Sequence, residues 1–302
     1  MRLKPLARTG VSIPEIGLGT WQYHSGPEPL RRGLAAGALF IDTAESYGTE
    51  EVVGQAIRGM RDRVFLATKV SPEHFRAPDF RSALEASLLR LGVDCVDLLQ
   101  LHFPNPEIPI EETMSAMAGL IDEGKVRFCG VSNFSVEQMR EAQAALGKHP
   151  IVSNQVRYSL INRTIEKDIL PYCRAQQITV IAYSPLAKRL SRVLDCDPEG
   201  ILAEIGRQTG KMPAQIALNW CLCQDGVVTI PKGNSEAHIL ENCGASDWRL
   251  SGEHLQWLDA KIRFRHRNRM DEWVRRMMPG ALTQLALRMV NALPAGLRRR
   301  VL

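Results

Sequence analysis

Four residues of reactive type, Asp42, Tyr47, Lys69 and His102, stand at or just behind the ends of short apolar runs: LFID followed by TAESYG, VFLATK, and VDLLQLH. Side chains from three neighbouring strand ends, with about 4.8 Å between strands, can meet in one small cluster. A tyrosine ordinarily holds its proton to about pH 10, too high for efficient exchange at neutral pH. A lysine ammonium at about 4 Å, at an effective dielectric of about 20, favours the tyrosinate by roughly 4 kcal/mol, or about three pKa units, before burial opposes it. Partial cancellation predicts a poised Tyr47 phenol. Asp42 supplies the counter-charge that keeps a partly buried Lys69 protonated, and His102 can orient a carbonyl oxygen. Such a set suits protonating an oxygen while another agent delivers hydride to its carbon, with Tyr47 offering the proton. It contains no acyl-transfer nucleophile.

Taken singly, each of the four has an ordinary reading: Asp42 as a cap or turn anchor, Tyr47 as a loop aromatic before Gly48, Lys69 and His102 as surface contacts. Four together at consecutive strand ends outweigh those readings. Trp21 and Phe103 also follow strand ends and are candidates for lining a substrate pocket, whereas Trp220 lies in a helical run and reads as core.

These residues must be positioned by a repeating frame. Short β-branched or apolar runs alternate with amphipathic stretches, the pattern of βα units. The predicted strands are Ile16 to Gly19, Leu39 to Asp42, Val64 to Lys69, Val96 to His102, Phe128 to Ser132, Val152 to Val156, Thr179 to Tyr183 and Val227 to Ile230. Between them lie helical stretches such as Asp79 to Leu91 and Ile110 to Glu123. Eight such units favour an α/β fold of the closed (β/α)8 TIM-barrel kind over an open doubly wound sheet, and GLGT at Gly17 to Thr20 is not a GxGxxG fingerprint. LKPLARTGVSIPEI reads as a β-hairpin around Thr9 and Gly10 that precedes the repeat and caps the barrel floor. Extra material follows the seventh strand (Pro185 to Gly200), and an additional C-terminal helix is predicted from Ser251 to Lys261.

Length and composition agree with this frame. The chain has 302 residues, 45% of them hydrophobic and 24% charged, which excludes collagen-like and disordered readings of its bulk. The net charge of +5 is unevenly placed. Residues 263–302 hold ten Arg against Asp271 and Glu272, a tail of +8, so residues 1–262 carry −3, and nucleic acid is not an expected partner of the body. Two domains are expected: the barrel over 1–262 and a basic extension over 263–302. Within the extension Leu282, Leu285, Met289 and Leu293 recur on one face of a predicted amphipathic helix between Gly280 and Pro294. Two roles fit it: packing on the barrel or a second subunit, or attachment to an anionic membrane surface through Arg298, Arg299 and Arg300. Monomer and homodimer both remain open. Seven cysteines without a CxxC pair, and a start, MRLKPLARTG, without an apolar run behind it, lead us to expect a cytoplasmic protein without a metal site.

The tetrad Asp42, Tyr47, Lys69 and His102, with the runs IGLGTW, DTAESYG, ATKV, LLQLH, GVSNF, NQV, AYSPL and IPKG, resembles the aldo-keto reductase superfamily over roughly Leu3 to Leu258. The resemblance implies reduction of an aldehyde or ketone, with Tyr47 as acid and as base in reverse, by a nicotinamide cofactor held without a Rossmann fold. It further implies that Ser132, Asn133 and Gln155 bond the carboxamide, that Tyr183 stacks on the nicotinamide, and that Ser184 and Leu186 lie on the pyrophosphate stretch. Thr20 and Trp21 would line the same region. Tyr47, His102, Trp21 and Phe103 would meet the substrate. Lys232 would face the adenosine 2′-phosphate beside Ser235, and Glu241 with Asn242 the adenine, which implies NADPH. His238 stands where NADPH-preferring reductases usually carry Arg; a neutral imidazole recognises phosphate less strongly than a guanidinium, so NADH use is left open. Two rival readings are a nicotinamide-binding sensor subunit with little turnover, and a barrel lyase or glycosidase. The latter would need a metal cluster or a second carboxylate at the rim, and Asp42 has no evident carboxylate partner.

Overall fold

The computed structural model describes residues 1–264. Ten strands and eleven α-helices occur among them. Strands β1 (Leu3–Pro5) and β2 (Ser12–Pro14) form the antiparallel hairpin, with Leu3 opposite Pro14. The barrel strands are β3 (Leu18–Gly19), β4 (Phe40–Asp42), β5 (Phe65–Val70), β6 (Val96–Leu101), β7 (Val126–Ser132), β8 (Ile151–Arg157), β9 (Thr179–Tyr183) and β10 (Val227–Thr229). The helices are α1 (Pro27–Ala35), α2 (Glu50–Ile57), α3 (Ala77–Leu91), α4 (Ile110–Asp122), α5 (Val136–Leu146), α6 (Ile169–Gln176), α7 (Leu190–Leu194), α8 (Ile201–Thr209), α9 (Pro213–Leu222), α10 (Glu236–Cys243) and α11 (Gly252–Lys261).

The eight barrel strands pair in parallel in chain order from β3 to β10. The barrel closes where Ile16 bridges Thr229, with Gly17 N donating to Thr229 O at 2.8 Å and Thr229 N to Glu15 O at 2.9 Å. Closure explains the glycine of GLGT: a Cβ on Gly19 would lie 2.5 Å from the Ile230 carbonyl oxygen, which no side chain tolerates. The fold is therefore the (β/α)8 barrel expected from the sequence, with each predicted strand displaced by at most two residues at an end. One short helix, α7, lies within Pro185 to Gly200, where the sequence pattern gave only extra material, and α8 follows directly after it.

Alternation along the strands divides the core in two. Phe40, Phe65, Ala67, Leu98, Val152, Ile181 and Val228 fill the barrel interior, and Leu6 and Ile13 of the hairpin join that cluster from below. The hairpin is thus a floor. It is pinned by Lys4, whose Nζ donates to the carbonyls of Leu222 at 2.6 Å and Val227 at 2.7 Å, and burial pulls the pKa of this ammonium down to about 8. Opposite faces of the strands, including Ile41, Leu66, Leu99 and Val131, pack against the helices with Trp220, which is 1% exposed. Four cysteines, Cys129, Cys173, Cys221 and Cys243, are buried, and burial pushes their thiols up, as small apolar side chains require. No helix among the described residues is long and apolar enough to cross a membrane. The basic extension, including its predicted amphipathic helix, lies outside the described residues apart from Arg263 and Phe264.

Candidate active site

Neighbouring strands β4, β5 and β6 carry the four reactive residues to the C-terminal rim. On β4 and β5 the inward positions run Phe40 and Asp42, then Phe65, Ala67 and Lys69; on β6 they are Leu98 and Gln100, with His102 just beyond the strand end. His102 N donates to Val70 O at 3.0 Å, which extends the ladder past β6 and fixes where the imidazole emerges. Tyr47 ends a 3₁₀ turn, Glu45–Tyr47, and Gly48 at φ +66° closes that turn in the left-handed region. Glu45 ties this turn to the loop behind Lys69: its carboxylate accepts from Ser71 N and lies 3.1 Å from His74 Nδ1. Asn105 Nδ2 donates to Pro72 O at 2.9 Å, joining the loop behind His102 to the same segment.

The interior of the site is an ion pair in a dry place. Lys69 is 0% exposed and its Nζ donates to Asp42 Oδ2 at 2.6 Å and to Thr43 O at 2.7 Å. The other Asp42 oxygen, Oδ1, accepts from Gln155 Nε2 at 2.7 Å and Gln100 Nε2 at 3.2 Å. Burial opposes the Lys69 charge, but Asp42 and then Tyr47 outweigh it, so its pKa stands above the usual lysine value. The ammonium lies 4.9 Å from the Tyr47 ring centroid, and Tyr47 Oη is 3.4 Å from His102 Nε2. These four residues are brought together.

One electrostatic expectation is corrected. The Tyr47 pKa is raised, not lowered towards neutrality: burial of the phenol is the largest effect, Lys69 pulls back, and the Asp42 charge partly cancels Lys69. Lys69 stabilises a phenolate as it forms without creating one at rest. For His102, burial and then repulsion by Lys69 depress the pKa to about 3, so the ring is neutral at ordinary pH. Its Nδ1 is 3.5 Å from Ser46 Oγ, and Phe103 stacks on it at 4.9 Å between centroids.

Around this centre lie the remaining predicted residues. Ser132 Oγ donates to Gln155 O at 2.9 Å, and Asn133 Nδ2 to Ser132 Oγ at 3.0 Å; Tyr183 Oη donates to Asn133 Oδ1 at 3.0 Å. Side chains from the ends of β7 and β9, with the Gln155 backbone oxygen of β8, thus form one polar wall. Behind β9, Ser184, Ala187 and Lys188 take positive φ values of 48°, 53° and 73°, backbone strain of a kind concentrated at ligand-holding loops. Leu186 in that loop packs on the core, and the Lys188 ammonium lies 5.3 Å from the Trp21 ring centroid. Trp21 and Phe103 are 42% and 46% exposed, available to a ligand. Thr20 differs from its expected place: it is fully buried, and its hydroxyl donates to Asp42 O and meets Thr49 Oγ1, so it braces the wall from behind. Lys232, Ser235 and His238 are exposed around the start of α10, where Ser235 Oγ caps His238 N, while Glu241 is half-buried and Asn242 buried on the same helix.

Sequence reasoning missed Gln100, Thr43 and Glu45. Gln100 sits inside an apolar run that reads simply as a buried strand, and its signal was an amide on the same face as Leu98 and His102. Thr43 reaches Lys69 only through its backbone oxygen. Glu45 stands two residues before Tyr47, a spacing with no motif of its own.

A model of the aldo/keto reductase family matches residues 15–263. The methylglyoxal reductase YeaE of Escherichia coli is 39% identical over 259 residues, covering 82% of this chain and 91% of that protein. The glyoxal reductase of Bacillus subtilis is 35% identical over 257 residues, covering 83% and 90%. A solved aldo-keto reductase from Klebsiella pneumoniae in complex with NADPH has a TM-score of 0.79 and 40% identity, covering 88% of this chain and 98% of that one. A closed barrel, a rim carrying Asp42, Tyr47, Lys69 and His102, and relatives matched over most of their own length lead to one conclusion: this chain belongs to the aldo/keto reductase family.

Proposed function

We propose that the chain reduces an aldehyde or ketone to an alcohol with NADPH, Tyr47 giving the proton and acting as base in the reverse direction. The observation that carries the assignment of roles is the buried Asp42–Lys69 pair set against a Tyr47–His102 contact. The rim also fits the cofactor. Gln155 Oε1 has no partner among the described residues and can accept from a carboxamide N–H, Tyr183 offers a half-buried ring at the same wall, and Lys232, Ser235 and His238 gather at the start of α10, where phosphate is favoured. When bound, NADPH supplies the hydride.

The chain's own residues handle the oxygen. Neutral His102 and the protonated Tyr47 hydroxyl converge on one point and can both face a carbonyl oxygen, which orients the carbonyl and holds a proton at Tyr47 Oη. As that proton leaves, negative charge grows on a phenol whose ring lies 4.9 Å from the Lys69 ammonium. Asp42 keeps that ammonium charged. Trp21 and Phe103 supply apolar walls for a small substrate, and the relatives named as methylglyoxal and glyoxal reductases make these dicarbonyls the first substrates to try. A cytoplasmic site of action is part of the same proposal.

The pKa directions set the pH behaviour. Reduction needs Tyr47 protonated and His102 neutral. With the phenol pKa raised and the imidazole at about 3, kcat/KM for methylglyoxal reduction should be level from about pH 6 to about pH 9. Alcohol oxidation needs the phenolate and should still be climbing at the alkaline end of that range. Initial rates of NADPH loss and formation across the range check this. A reductive limb falling through about pH 7 would show that another group donates the proton.

A further inference from the structure

The amide of Gln100 lies deep in the barrel, fully buried, opposite Lys69 on β5 and Gly130 on β7 in the strand register. Its Nε2 donates to Asp42 Oδ1 at 3.2 Å and its Oε1 accepts from Gln155 Nε2 at 3.3 Å. Gln155 Nε2 also donates to Asp42 Oδ1 at 2.7 Å. An ionised carboxylate only accepts, so both amides must turn their NH₂ groups towards it, and the sense of each amide is set by chemistry. Both N–H bonds of Gln155 are then spent, one on Asp42 and one on Gln100. Its carbonyl oxygen is left facing elsewhere.

We infer that Gln100 is a positioning residue: it locks the Gln155 amide so that the site presents an acceptor, not a donor, to the carboxamide of a bound nicotinamide. Asp42 alone would hold Gln155 by one hydrogen and leave the amide free to pivot about it; the Gln100 carbonyl supplies the second anchor. The barrel makes room for the device. A Cβ on Gly130 would lie 3.0 Å from Gln100 Cγ and 2.4 Å from Ser153 Oγ, so the bare backbone there permits an amide of this length. Gln100 also gives Asp42 a third neutral or charged donor beside Lys69 and Gln155, which couples the ion pair to the cofactor wall.

This inference rests on the nicotinamide reading of the site, and the test separates the two. Dissociation constants of NADPH and of 2′-phospho-ADP-ribose, which lacks the nicotinamide, are measured by tryptophan fluorescence for wild type, Gln100→Met, Gln155→Met and the double variant. Gln100→Met should weaken NADPH by about tenfold, the worth of one well-placed hydrogen bond, and leave 2′-phospho-ADP-ribose within twofold, about the scatter of unaffected contacts. In the Gln155→Met background, Gln100→Met should add little, because its effect passes through Gln155. Equal weakening of both ligands, no weakening of NADPH, or full additivity in the double variant would overturn the role of Gln100. Wild type binding NADPH no better than 2′-phospho-ADP-ribose would instead overturn the nicotinamide reading.

Discussion

Tyr47→Phe is expected to lower kcat/KM for methylglyoxal reduction by about 10²–10⁴-fold, the usual worth of a positioned general acid, while the NADPH dissociation constant stays within about twofold. The phenyl ring keeps the volume of the turn residue and its contact with the His102 ring, centroids 5.4 Å apart, so only the hydroxyl is removed. The split matters: a loss confined to turnover places the hydroxyl in the chemical step, whereas a matching loss of NADPH affinity would place it in binding. The rate of NADPH consumption and a fluorescence titration decide between them. A variant with near wild-type turnover would remove Tyr47 from the proton-donor role.

Lys69→Met has the second large effect, and it acts twice. It removes the cation behind the phenol, so charge developing on Tyr47 Oη loses its stabilisation, and kcat/KM should fall by at least about 10²-fold. It also strands Asp42, 1% exposed, as a carboxylate held only by two amides. Breaking a buried ion pair by removing one partner typically costs about 3–5 kcal/mol, because the survivor remains buried and uncompensated. Asp42→Asn combined with Lys69→Met removes both charges; it should recover most of the stability, by chemical denaturation, and none of the activity. Recovered activity in the double variant would mean that the pair is structural only.

Much of the frame was legible because buried parallel strands are written as short apolar runs, and a period of two along β4, β5 and β6 leaves Asp42, Lys69 and His102 on one face. The hairpin was legible from Thr9 and Gly10 between two short runs. Other features resist such reading for identifiable reasons. The 3₁₀ turn that aims Tyr47 depends on Glu45 reaching Ser71 and His74, a contact across 26 or more positions of chain that no local pattern encodes. The sign of the Tyr47 shift depends on how deeply the phenol is buried relative to its distance from Lys69, and composition carries neither quantity. Thr20 matches a family position, yet its hydroxyl is taken by Asp42 O and Thr49, because β3 is only two residues long and its end lies inside the wall. Gln100 is the clearest case: a polar residue in VDLLQLH has meaning only once Asp42 and Gln155, 58 positions before and 55 after it in the chain, converge on it.

The origin of the proton is the point on which the mechanism turns. Single-turnover oxidation of bound NADPH by methylglyoxal, followed in H₂O and in D₂O at a pH within the level region, measures it most directly. The wild-type rate constant should be lower in D₂O, since the Tyr47 hydroxyl exchanges its hydrogen with solvent and transfers it in the same step, and the residual rate of Tyr47→Phe should lose that sensitivity. Equal isotope sensitivity in both proteins would contradict the account.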